Sequence, residues 1–145
     1  MTSIVVVVAI ALLSGIAVAL QAQFMGTMER VAGTPGSVFI TYGLGALLAT
    51  LIWLVAGQPA ATFRRIPAYS FFAGALGLVI VGGISYSAPR LGLSRTILLT
   101  IAAQLAAAVL IDHYALFAAP RRPLDTARVI GVALTIAGAW LVVRR

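Results

Sequence analysis

The side chains able to do chemistry in this chain are few, and they lie within or at the ends of apolar runs. Gln104 sits ~3 Å along the helix axis from the middle of the run Thr96 to Phe117. Its amide offers donors and an acceptor, which suits a polar substrate or a bond to a neighbouring helix. The second use is worth ~0.6–2 kcal/mol. Asp112 lies in the same run, ~9 Å from its middle. A carboxylate at that depth requires a partner. Arg128 and Arg121 are candidates within the chain, and Arg90 or Arg95 would reach the same side from an oppositely oriented copy. We read Asp112, Arg128 and Arg95 as a structural ion pair at the headgroups rather than a proton-coupling site, and His113 as an interfacial side chain.

Other polar and aromatic candidates sit earlier. Ser14 adjoins a stripe of small residues, Ala11, Gly15 and Ala19, whose four-residue spacing permits close helix contact. Tyr42 precedes Gly43 and Gly45, and Trp53 follows on the same run; both suit either an apolar binding site or lipid contact. Tyr86 and Trp140 fit the interfacial aromatic belt. One His, three acids and no Cys make a metal site improbable and exclude disulfides. No cofactor is expected. No nucleophile–base pair is visible, so the chain is not read as an enzyme.

These groups are positioned by five apolar runs: Ile4 to Leu20 or Phe24, Val38 to Ala56, Tyr69 to Tyr86, Thr96 to Phe117, and Val129 to Val143. A helix needs ~20 residues to cross a bilayer, with a range of ~17–25. The fifth run has 15 and spans ~23 Å, a gap that Arg128, Arg144 and Arg145 could close by snorkelling. Gly33-Thr34-Pro35-Gly36, Gly57-Gln58-Pro59, Ala88-Pro89-Arg90-Leu91-Gly92 and Pro120-Arg121-Arg122-Pro123 read as short connections, so successive helices should be antiparallel. Ala17-Val18-Ala19 resembles a signal-peptide cleavage site. No basic segment precedes it and four further runs follow, so cleavage is not expected. The fold predicted is an all-α membrane protein, a single five-helix domain over 1–145.

Composition agrees: 62% of residues are apolar and 9% charged, against about half apolar in a soluble domain. The net charge of +7 comes from ten arginines, with no lysine, against three acids. They cluster at run ends, which is the pattern of headgroup anchoring and not of nucleic-acid binding. With the N-terminus inside, Arg64, Arg65, Arg121, Arg122 and Arg128 lie inside, and Arg30, Arg90, Arg95, Arg144 and Arg145 outside, five against five. Orientation follows the Lys/Arg excess of cytoplasmic loops. A balanced chain is expected to insert both ways up, and two inverted copies would form a ten-helix antiparallel dimer.

The order Ala88-Pro89-Arg90-Leu91-Gly92, Gln104-Leu105, Asp112-His113-Tyr114, Pro120-Arg121-Arg122-Pro123-Leu124, Arg128-Val129-Ile130-Gly131 and Gly138-Ala139-Trp140-Leu141-Val142 resembles the YdcZ-like family of the drug/metabolite transporter superfamily. Gly15, Gln21, Gly43 and Gly45 fit it more loosely. The resemblance implies a five-span protein of the bacterial inner membrane, with itself as inverted partner and a small-molecule substrate. It makes Gln21 a candidate ligand beside Gln104, Ser14, Tyr42 and Trp53. In one departure, Ala22 follows Gln21 where relatives carry an amide, which returns only at Gln23. No acid sits in the runs before Asp112, so the first-span glutamate of small multidrug exporters in that superfamily has no counterpart. A neutral, zwitterionic or anionic solute is favoured over an organic cation. The function expected is export by alternating access; a non-transporting accessory subunit and a small channel are the competing readings.

Overall fold

The computed structural model describes residues 3–57, 59 and 66–144. Arg64, Arg65 and Arg145, which enter the charge balance, and Gln58 lie outside the described residues. Four α-helices carry the chain: α1 Ile4–Val55, α2 Ala73–Leu91, α3 Leu93–Tyr114 and α4 Thr126–Val143. Short 3-10 turns at Ala68–Phe72 and Leu116–Ala118 precede α2 and follow α3. All four helices are long and apolar enough to cross a membrane. No strand occurs among the described residues.

At 52 residues, α1 would measure ~78 Å if straight, over twice the ~30 Å hydrocarbon core of a bilayer. It is broken at Gly33, whose backbone (φ 69°, ψ 174°) lies outside helical space in a region that essentially only glycine visits. Pro35 follows, with no N–H to continue a helical ladder across the break. The break doubles the chain back. Ser37 Oγ donates to the Met25 carbonyl at 3.2 Å, whereas twelve residues of straight helix would hold them ~18 Å apart. We call the two parts the N-terminal arm (4–32) and the C-terminal arm (34–55).

The sequence reading ends the first apolar run at Leu20 or Phe24, but helix continues through residue 32. The reason lies in its face: Ala22, Met25 and Gly26 are buried and Glu29 is largely so. These positions follow the i, i+3, i+4, i+7 spacing of one helical stripe. Hydropathy fades there, but the packing stripe does not.

The chain divides into two compact units, Met1–Arg90 and Leu91–Arg145. In the first, a methyl added at Gly82 would lie 3.7 Å from Val38 and 3.8 Å from Thr34, and Gly77 faces the Tyr42 hydroxyl. α2 therefore runs antiparallel to the C-terminal arm. It runs parallel to the N-terminal arm, since Gly26 meets Ala88 and Pro89 while Glu29 meets Arg90. The expected segment Ala88 to Gly92 is thus mostly helix, with Pro89 in the last turn of α2 and Gly92 (φ 87°) ending it.

In the second unit α3 packs on α4. The connection folds over the end of α3: Arg122 N donates to the Asp112 carbonyl at 2.9 Å, and Leu124 N donates to His113 Nδ1 at 3.2 Å. Asp125 caps α4 by accepting from Arg128 N at 2.8 Å. The cap starts α4 at Thr126 and lengthens it to 18 residues, three more than the apolar run supplies. Asp125→Ala should lower stability by ~1 kcal/mol, read as an earlier thermal unfolding midpoint, whereas Asp125→Asn should retain most of it.

Large apolar side chains cover the outside of the chain. Leu12, Leu13, Phe24, Leu51, Val79, Leu134 and Leu141 are each more than half exposed. In water such a surface would be untenable at ~25 cal/mol per Å². In lipid it is the expected exterior.

Candidate functional site

Polar side chains converge at two places. The first is the elbow of α1. The fully buried hydroxyls of Ser37 and Ser85 both point at the Met25 carbonyl, at 3.2 and 3.4 Å. Ser85 Oγ also lies 3.5 Å from Glu29 Oε2, so its single proton is shared between two acceptors. Arg90 Nη1 donates to Glu29 Oε1 at 3.1 Å, and Thr34 adds a side-chain hydrogen bond to the same carboxylate. The Glu29 side chain is 7% exposed and that of Arg90 47%. Arg90 is also aimed by its own helix: it donates to the Tyr86 carbonyl, and its guanidinium stacks 3.6 Å over the Tyr86 ring, an attractive cation–π geometry.

The elbow thus ties three helical segments through one carboxylate and one carbonyl. Sequence reading missed Glu29, Ser37 and Ser85. It ends the first run at Leu20 or Phe24 and so leaves Glu29 outside it, whereas Glu29 lies inside α1. It is nonetheless ~37 Å along the helix from Ile4, far from the middle of any single crossing. The signal that could have found it is the stripe Ala22, Met25, Gly26, Glu29 leading into Gly33. One turn beyond Ser37, Thr41 Oγ1 is buried without a hydrogen-bond partner.

The second place is the α3–α4 face. Arg128 Nη1 stands 3.8 Å from Asp112 Oδ2, too long for a hydrogen bond. The same Nη1 donates to the Arg122 carbonyl at 3.2 Å. Both side chains are about one-third exposed and open onto a groove of about 390 Å³ between the helices. Arg95 forms no ion pair among the described residues.

The remaining candidates are spread out. Gln104 is exposed at the middle of α3, makes no hydrogen bond among the described residues, and does not line the groove that holds Asp112 and Arg128. Ser14 and Gln21 are exposed on the N-terminal arm, and the Ser14 hydroxyl is returned to its own helix, donating to the Ile10 carbonyl at 2.9 Å. Tyr42 packs against Gly77 of α2, and Trp53 is near the end of the C-terminal arm, part exposed. The first unit holds these four and the second holds Gln104.

Among the described residues no group of His, Asp and Glu is placed to hold a metal. The family model described as "Putative inner membrane exporter, YdcZ" matches residues 6–141. The chain belongs to this family. It is a multi-pass protein of the inner membrane, with its long apolar helices spanning the bilayer. The family's description is that of a transporter and not of an enzyme. No curated protein and no solved structure matches the chain. Within the family match lie the elbow, the α3–α4 groove and every candidate residue named above.

Proposed function

We propose that this protein exports a small neutral, zwitterionic or anionic molecule across the inner membrane, working by alternating access as an inverted homodimer. Each arm of α1 crosses the bilayer once, so the protomer has five crossings and the dimer ten. The observation that carries this reading is Gln104. It stands exposed at the centre of a membrane helix, and its amide makes no hydrogen bond among the described residues. Lipid offers no hydrogen bonds, so such a group requires a partner helix or a polar solute. A second copy related by a two-fold axis in the membrane plane places two such amides near the midplane, where inverted-repeat transporters hold their substrates. The arginine balance supports opposite orientations of the two copies.

The test is Gln104→Leu in the purified dimer, screened by thermal shift against pools of metabolites. A ligand that binds the folded state raises its apparent stability. The parent should gain a shift with at least one pool. The variant should keep its dimer and its unliganded melting point and lose that shift. A weakened dimer would make Gln104 a helix tether. An unchanged ligand response with unchanged stability would remove it from the site.

A further inference from the structure

We propose that the α3–α4 groove ending at Asp112 and Arg128 binds a bilayer phospholipid whose headgroup carries a primary ammonium next to its phosphate. Two grooves flank the line formed by Val109 and Val132, which contribute to both. One, of about 350 Å³, is lined by apolar residues such as Leu110, Ala133 and Ile136. The other has Leu105, Ala108, Val109 and Val132 along its length and Asp112 and Arg128 at its end. Only the second has charge, and it has both signs.

The Asp112 carboxylate accepts no hydrogen bond among the described residues, and its contact with Arg128 at 3.8 Å is purely ionic. Arg128 uses one donor on the Arg122 carbonyl and has others to offer. The pair therefore presents a free acceptor and free donors side by side. A phosphate fits the guanidinium fork, and an ammonium joined to it by an ethylene bridge reaches the neighbouring carboxylate with up to three N–H donors. Depth agrees with this assignment. Asp112 lies ~13 Å from the middle of α3, at the edge of a hydrocarbon core of ~15 Å half-thickness. The headgroup meets the pair, and an acyl chain lies along the apolar wall toward the bilayer centre. Arg121 and Arg122 in the adjoining connection add positive charge to this end of the α3–α4 pair, which favours a phosphate. Asp112 distinguishes this site from one that selects for anionic lipid alone.

The full-length protein in detergent is melted with phosphatidylethanolamine, phosphatidylcholine or phosphatidylglycerol of identical acyl chains. Phosphatidylethanolamine should give the largest upward shift, because the quaternary ammonium of phosphatidylcholine has no N–H and phosphatidylglycerol has no cation. Asp112→Asn should abolish the preference for ethanolamine over choline while leaving the shift common to both. Arg128→Gln should reduce the shift from all three. Ala108→Phe keeps the ion pair and fills the charged groove, so it should lose the preference; Ala133→Phe fills the apolar groove and should keep it. Equal stabilisation of the parent by ethanolamine and choline lipids, a larger shift from phosphatidylglycerol, or an ethanolamine preference surviving in Ala108→Phe would each overturn the assignment. The last also decides the matter if Asp112→Asn fails to fold.

Discussion

Lysines substituted for Ala60 and Ala61, beside Arg64, should turn nearly every copy N-terminus inward. With the five crossings proposed, the ten arginines divide five and five, so two added charges make seven against five, and orientation follows the side with the excess. The chain has no cysteine, and Pro123 is exposed in the α3–α4 connection. Pro123→Cys therefore reports orientation without background. An impermeant thiol reagent on intact cells should label about half of the parent copies and almost none of the lysine variant, by the orientation rule. The variant expressed alone should lose transport. Co-expression with a copy biased the other way should restore it, because the inverted pair is then rebuilt. Parent labelling that is nearly complete, or nearly absent, would end the dual-orientation proposal.

The second large effect is expected at the elbow. A methyl added at Gly36 would stand 2.6 Å from Ala32 Cβ, closer than side-chain carbons approach. Neither atom belongs to a flexible chain end, so the backbone must move. Gly36→Ala should destabilise by ~1–3 kcal/mol, outweighing the ~1 kcal/mol that alanine gains over glycine in a helix. Gly33→Val should be worse, because a β-branched residue is strained at its positive φ. Two controls separate the clash from a general intolerance of substitution. Ala32→Gly combined with Gly36→Ala should recover most of the loss, since contacting sites are coupled. Gly43→Ala, where an added methyl meets nothing within 4 Å, should keep or raise the melting point, since it gains helix propensity without a clash. If Gly43→Ala costs as much as Gly36→Ala, or if Ala32→Gly gives no rescue, the close approach at the elbow is not what fixes the arms.

Helix positions were legible in the sequence where lipid decides them. The runs containing Val79, Gln104 and Leu134 each mark a helix, because transfer to hydrocarbon selects for unbroken apolar length. Their ends were less legible, since ends are set by backbone chemistry: Gly92 stops α2, and the Asp125 cap starts α4 ahead of its first long apolar residue. Gly33 and Pro35 were readable as a break. That a single non-helical residue makes the break, with helix on both sides, was not. The elbow's polar contacts were illegible for a different reason. Glu29 and Arg90 are 61 residues apart, and no periodicity relates positions on separate helices. Asp112 stood out because an acid at that depth requires a partner, and Arg128 lies one short connection away. Gln104 was legible as an amide at the centre of an apolar run, and its lack of a partner among the described residues makes a second copy the natural place to seek one.

The elbow makes the two ends of the first unit chemically unlike, with Glu29, Arg90 and two serines at one end only. In an inverted dimer each face of the membrane receives one elbow. Rotating such an assembly by half a turn exchanges its inward-open and outward-open forms atom for atom. The two forms then have equal free energy in the absence of solute and voltage, and their equilibrium constant is one. A ligand can shift that equilibrium only through differential affinity for the two states, and here symmetry makes the affinities mirror each other. On the proposed inverted dimer the protein would be a two-way turnstile: the solute's own gradient, or an ion carried with it, would set the net direction, and the same molecule would run as an importer if that gradient were reversed.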